Sequence, residues 1–371
     1  MNTLVIWYEP KAKVETKLKA ELHFNLWKIK RKRSLENYWK SIKRTNWNTF
    51  FNTLLKGNIP KIRTEFFLDF GIMISNITNV DKICIYIPDQ IKKENLADIG
   101  GVLQNNREVL KAVFNEELSC VFVHGSDKFS EVRDKNNKPK FNIYSVDIES
   151  DIEWNSYKGT ILKIGHKIDP LVSEVKETYF RFRLTSSFVE NISHTYVPNN
   201  SILEGFSSNT EIIDFRVNEN RNIDASLLEK IKQAAGFNFS KIHFLILRSF
   251  KDDYVFSNMH IHGSRELEKK IWNSYISENE YEYSKVLAYH FKEVSKIKPD
   301  GQKFFLEDFN LLAKFKYENS NFLKILKYLL FFLIINTVYE IVANIISDHD
   351  GRRIIEICLR FCWRLVSGIF N

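Results

Sequence analysis

From Tyr328 to Ile346 the chain reads YLLFFLIINTVYEIVANII, a run whose single formal charge is Glu340. As a helix it approaches the length that crosses about 30 Å of hydrocarbon. Lys324 and Lys327 precede it, and Tyr328 sits where an interfacial residue belongs. After the polar break Ser347-Asp348-His349-Asp350-Gly351-Arg352-Arg353 comes a second apolar segment, Ile354 to Phe370, with three charges. Asn336, Glu340 and Asn344 recur every four residues on the first segment, and Glu356, Arg360 and Arg364 do the same on the second. Folded antiparallel about Asp350, the two stripes face each other, with Glu340 opposite Arg360, the pairing a buried carboxylate requires. The tail therefore predicts a membrane helical hairpin, with an interfacial second helix or a pore lined by several copies as the other arrangements.

Working outward, the lysines before the run outweigh the arginines of the break, and the positive-inside rule expects the main domain on the cytoplasmic side of a cell membrane. The start MNTLVIWYEPKAK is too short and too quickly charged for a signal peptide. The four cysteines, Cys84, Cys120, Cys358 and Cys362, suggest no disulfide framework and suit a reducing compartment.

The 371 residues carry a formal net charge of +8, part of it in the run Lys28, Lys30, Arg31, Lys32 and Arg33. Val14 to Lys32 and Ser34 to Lys56 read as two basic helices ended by Gly57 and Pro60. Their basic face suits anionic lipid or plain solvent better than nucleic acid. From Glu65 the pattern turns to short β-branched and aromatic runs. They comprise Phe66 to Ser75, Ile83 to Ile87, Cys120 to Val123, Phe141 to Val146, Thr160 to Gly165, Tyr179 to Leu184, Glu211 to Val217, Lys241 to Leu247 and Tyr254 to His262. Helical patches interrupt them at Asn105 to Asn115 and at Ala225 to Gly236, the latter with Asp224 as N-cap. Asp134 to Pro139 is a turn. Ser264 to Ile276, Glu280 to Lys296 and Leu306 to Tyr317 return to helix.

The expected fold is α+β. It has an N-terminal basic helical region at 1–60, a central, mainly antiparallel β domain with inserted helices at 61–263, a helical connector at 264–320, and the membrane hairpin at 321–371.

For function, the pattern of alternation on Tyr179-Phe180-Arg181-Phe182-Arg183-Leu184 puts Arg181 and Arg183 on one strand face, while Arg216 and Asn218 share another. Such a surface could hold a nucleotide or other anionic ligand, or be an ordinary face of cross-strand charge pairs. His260 and His262 lie on one face of Met259-His260-Ile261-His262-Gly263, a spacing used in metal and phosphoester chemistry, but spacing marks no third ligand and no metal is expected. The carboxylates around Asp147 and the segment Val123-His124-Gly125-Ser126-Asp127 lack a catalytic setting, and no phosphate loop or dinucleotide fingerprint is present. The expectation is a non-enzymatic membrane-anchored sensor or interaction protein without cofactor, forming a homo-oligomer if the tail lines a pore. By analogy alone it would be a membrane-disrupting effector of the kind found in prokaryotic antiviral defence. The alternative is a membrane-anchored hydrolase or nuclease using His260 and His262.

Overall fold

The computed structural model describes residues 3–12, 17–31, 64–123, 127–166, 175–196, 208–276, 281–282, 285–297, 303–318 and 322–346. The chain forms two compact units, one of Met1–Arg33, Ile62–Tyr196 and Thr210–Lys316, the other of Ser34–Lys61, Val197–Asn209 and Tyr317–Asn371.

The strands begin with β1 Val5–Pro10, β2 Lys19–Arg31, β3 Thr64–Ser75, β4 Val80–Ile87, β5 Leu96–Asp98, β6 Leu118–Phe122, β7 Phe129–Asp134 and β8 Pro139–Tyr144. They continue as β9 Ile152–Ser156, β10 Thr160–Gly165, β11 Glu177–Leu184, β12 Ser193–Tyr196, β13 Ser208–Val217, β14 Ala235–Gly236 and β15 Asn238–Ser249. The remainder are β16 Asp252–Ser257, β17 Ile261–Glu266, β18 Tyr281–Glu282, β19 Val286–Val294, β20 Lys296–Ile297, β21 Lys303–Phe304 and β22 Phe309–Glu318. The helices are α1 Gly100–Asn105, α2 Arg107–Phe114, α3 Ser187–Asn191, α4 Ala225–Gln233, α5 Lys269–Ile276 and α6 Phe322–Ile346.

In the first unit an eleven-stranded sheet runs β17-β19-β15-β2-β3-β11-β8-β7-β6, with β18 added to β2 and β5 to β11. Its neighbours pair antiparallel apart from β15 with β2 and β11 with β8. A five-stranded sheet, β14-β1-β4-β10-β9, and a four-stranded sheet, β12-β13-β22-β16, complete the body.

Strict alternation builds the core. On β2 the residues Ala20, Leu22, Phe24 and Leu26 enter the main core, as do Leu68, Phe70, Ile72 and Ile74 of β3. They meet Ile83 and Ile85 of β4, Phe215 of β13, and Leu311 and Phe315 of β22, so both smaller sheets pack on this face. The opposite face of the large sheet carries Trp27, Phe67 and Tyr179 and is covered by Leu103 of α1, Val109 and Leu110 of α2, and Trp272 and Tyr275 of α5. A third cluster, with Trp7, Cys84, Tyr86 and Leu227, seals α4 onto the outside of the five-stranded sheet.

These observations overturn the expected fold. Val14 to Lys32 is not a helix, because Lys19–Arg31 alternates apolar and polar residues and is the strand next to β3. The expected helix from Ser34 to Lys56 lies outside the described residues. Glu280 to Lys296 and Leu306 to Tyr317 contain β19 and β22, and only Lys269–Ile276 of the expected connector is helical.

The membrane hairpin is also corrected. Among the described residues no helix is long and apolar enough to cross a membrane. The part of α6 whose side chains are described, 330–343, covers roughly 21 Å at 1.5 Å per residue, against about 30 Å of hydrocarbon. Asn336, Tyr339 and Glu340 are exposed within it. The side chain of Asn344 and all of Glu356, Arg360 and Arg364 lie outside the described residues, so the facing stripes have no described partner. A membrane location with a cytoplasmic main domain loses its basis with the hairpin.

Candidate functional site

The polar face of the large sheet gathers most of its chemistry-bearing residues, because pairing brings β2, β3 and β11 together. Register sets Asn25 opposite Asp69, and Asp69 opposite Arg183. Asp69 is fully buried and receives four hydrogen bonds. Arg183 donates from Nε at 2.7 Å and Nη2 at 3.1 Å, Trp27 Nε1 at 2.9 Å, and Tyr275 Oη at 2.8 Å. The Arg183 guanidinium lies 4.2 Å from the Phe67 ring centre and 4.9 Å from that of Tyr275.

Arg181, 1% exposed, donates to Tyr275 Oη at 2.9 Å and to Tyr179 Oη at 2.7 Å. Asn25, its amide oriented by its hydrogen bonds, accepts from Arg181 at 2.8 Å. Tyr179 lies across β3 because Gly71 leaves the room; a Cβ there would stand 2.1 Å from the phenol oxygen. Burial pushes the Tyr179 and Tyr275 hydroxyls up, so they stay protonated beside the guanidiniums.

Beyond Tyr179 a row of histidines crosses the sheet. His23 Nδ1 lies 3.2 Å from Tyr179 Oη, and the His23 ring meets that of His243 edge-on at 5.0 Å. His243 Nδ1 and His290 Nε2 are 2.9 Å apart with the rings stacked. His262, on the edge strand β17, contacts the His290 ring at 5.3 Å. Burial and the neighbouring cations hold His243 down to about 3 and His290 down to about 4, while His23 falls well below the usual histidine range for the same reasons.

A second polar knot joins the large and four-stranded sheets. Glu211 of β13, fully buried, accepts from Arg248 Nη2 at 2.7 Å and from Lys28 and Ser193. Burial works against its charge, but Arg248 and Lys28 lower it to about 2.

Each residue marked in the sequence can now be placed. Arg181 and Arg183 share one face as expected, but that face is sealed and both are engaged internally. Arg216 binds Asp214 through Nε at 2.9 Å and Nη2 at 2.7 Å, and Glu219 through Nη1 at 2.9 Å. Asn218, with φ of 54°, accepts from the Ile6 amide at 2.8 Å and joins β13 to β1. Arg216 and Asn218 are therefore not brought to Arg181 and Arg183. His260 and His262 are exposed, and among the described residues no group of three or more His, Cys, Asp or Glu side chains could hold a metal ion.

The sequence reading missed Asp69, His23, His243, His290 and Tyr275. The period-two pattern of Lys19–Arg31 was the available signal, since it already sets His23, Asn25 and Trp27 on one face.

One broad surface is built differently. The inner residues of the four-stranded sheet are core, whereas its outer face exposes Tyr196 at 61%, Val255 at 46% and Ile212 at 36%. Lys316 is exposed and Leu312 and Lys314 are half-buried in the same alternating phase of β22. Neither lysine takes part in an ion pair among the described residues. Compared with known proteins, the chain matches no family model and no curated protein.

Proposed function

We propose that the chain is a binding protein of the sensor or interaction type, and that its contact surface is the outer face of the four-stranded sheet. One observation carries this reading: α1, α2 and α5 cover the large sheet and α4 covers the five-stranded sheet, while the four-stranded sheet presents Tyr196, Ile212, Leu312 and Val255 beside Lys314 and Lys316. An apolar surface with interspersed charge is the common composition of a protein-binding site. Two lysines with no acidic neighbour bonded to them favour a partner segment that carries carboxylates among apolar residues.

The test uses two labelled peptides of equal apolar content, one bearing glutamates and one bearing lysines, followed by fluorescence anisotropy. The acidic peptide should bind more tightly, and the pair Lys314→Glu and Lys316→Glu should reverse the preference. Equal binding of both peptides by both proteins would refute the reading. The hydrolase alternative rests on His260 and His262, and replacing both by Ala leaves peptide binding unchanged if the binding reading holds.

A further inference from the structure

The row His262, His290, His243 and His23 connects an exposed edge strand to the sealed Arg181–Tyr179 centre, and it lies beside the last turn of α2. Phe114, at the end of α2, packs on Tyr179 at 5.1 Å, on Phe141 at 4.7 Å and on His23 at 6.1 Å. Arg265 of β17 crosses from the row to that turn, donating to the Ala112 carbonyl at 2.8 Å and to Asn115 Oδ1 at 2.7 Å. We infer that the histidine row is an acid-sensed latch, which keeps α2 closed on the large sheet while the imidazoles are neutral and releases the α2 end when they take up protons.

The charges around the row all point the same way. Lys241 of β15, Lys292 of β19, Arg265 of β17 and Arg181 of β11 lower the proton affinity of its members, each acting on the histidines nearest to it. The adjacent carboxylate, Glu21 of β2, is bound to Lys241 at 3.2 Å and Lys19 at 3.9 Å. From α2 and its cap the row meets Phe114 and Asn115, which bring no charge.

The bond between His243 Nδ1 and His290 Nε2 needs one nitrogen without hydrogen. A single added proton can be shared across it; a second gives both nitrogens a hydrogen, breaks the bond and sets two cations face to face beside Arg265. Release of Arg265 from Ala112 and Asn115 is the direct route by which that repulsion reaches α2. The latch is independent of the binding surface proposed above, which lies on another sheet.

Hydrogen exchange of the α2 segment, corrected for intrinsic rates, tests this at pH 7 and pH 5. If each histidine regains its ordinary affinity on opening, the opening constant should rise about 30-fold per histidine between those values. His243→Asn with His290→Gln keeps polar nitrogens near their positions but cannot be protonated, and it should abolish most of the change. Unchanged exchange in the wild type, or an equal response in the variant, would overturn the latch. Should the variant fail to fold, proton titration of the wild-type imidazoles decides: His243 and His290 must take up protons below pH 5 together with α2 opening, and titration near 6.5 without opening would overturn it.

Discussion

Replacing Asp69 by Asn tests whether the buried arginines depend on one carboxylate. The substitution preserves shape but removes the charge on which Arg183 Nε, Arg183 Nη2, Trp27 Nε1 and Tyr275 Oη converge, at 2.7, 3.1, 2.9 and 2.8 Å. It leaves Arg183 inside the protein with no carboxylate, next to Arg181, which is itself satisfied only by neutral oxygens. Breaking a buried pair from one side costs about 3–5 kcal/mol, and an amide oxygen can restore only part of that. Urea unfolding followed by Trp fluorescence and by circular dichroism measures the loss. The pair Asp69→Leu with Arg183→Met removes both charges together, so a double-mutant cycle should return a coupling of about 2–3 kcal/mol. A loss under 1 kcal/mol for Asp69→Asn, or additive single effects, would refute the claim that this ion pair organises the covered face.

Gly71→Ala should destabilise by about 1–3 kcal/mol in the same assay, because the new methyl displaces the Tyr179 hydroxyl from between Arg181 and His23. Stability should fall with acid in two stages. His243 and His290 bind protons more weakly folded than unfolded, so their contribution is complete above pH 6.5 and is lost as pH falls toward about 4 and then about 3. Glu211, lowered from 4.5 to about 2, adds stability above pH 4.5 that disappears as pH falls toward 2, and Glu211→Gln should flatten that lower stage in a pH series of unfolding curves. Asn218→Ala should cost about 1–2 kcal/mol, since it loses the bond to the Ile6 amide and must hold a left-handed φ, as read by thermal unfolding.

Much of the β structure could be read locally. The run Thr160 to Gly165 is β10 as expected, Tyr179 to Leu184 lies within β11, and Asp134 to Pro139 is the turn joining β7 to β8, with Asp134 Oδ1 accepting from the Asn136 and Lys138 amides. Asp224 caps α4 by accepting from the Ser226 amide. The failures have a common cause. Lys19–Arg31, Val286–Val294 and Phe309–Glu318 carry many lysines, glutamates and alanines, which favour helix, while the period of their apolar residues is that of a strand; pairing in a buried sheet overrode the propensity. In the tail, apolar length was given more weight than Asn336 and Glu340, and the described portion of α6 is too short to carry a span.

The site was legible only in part. Alternation puts Arg181 and Arg183 on one side of β11 without further information. That the side is sealed depends on Trp272 and Tyr275, nearly a hundred residues away, and on Asp69 arriving from β3. Likewise the histidines are scattered from His23 to His290 and become a row only through the parallel register of β2 with β15 and the antiparallel register of β15 with β19. No spacing along the chain encodes those pairings.

The binding role is tested most directly by lysine footprinting. The protein is acetylated in the presence and absence of the glutamate-bearing peptide, and the reactivity of each lysine is read by mass spectrometry. The proposal predicts protection of Lys314 and Lys316 with little change at Lys292 and Lys241 on the large sheet. Protection elsewhere with Lys314 and Lys316 unchanged would contradict it.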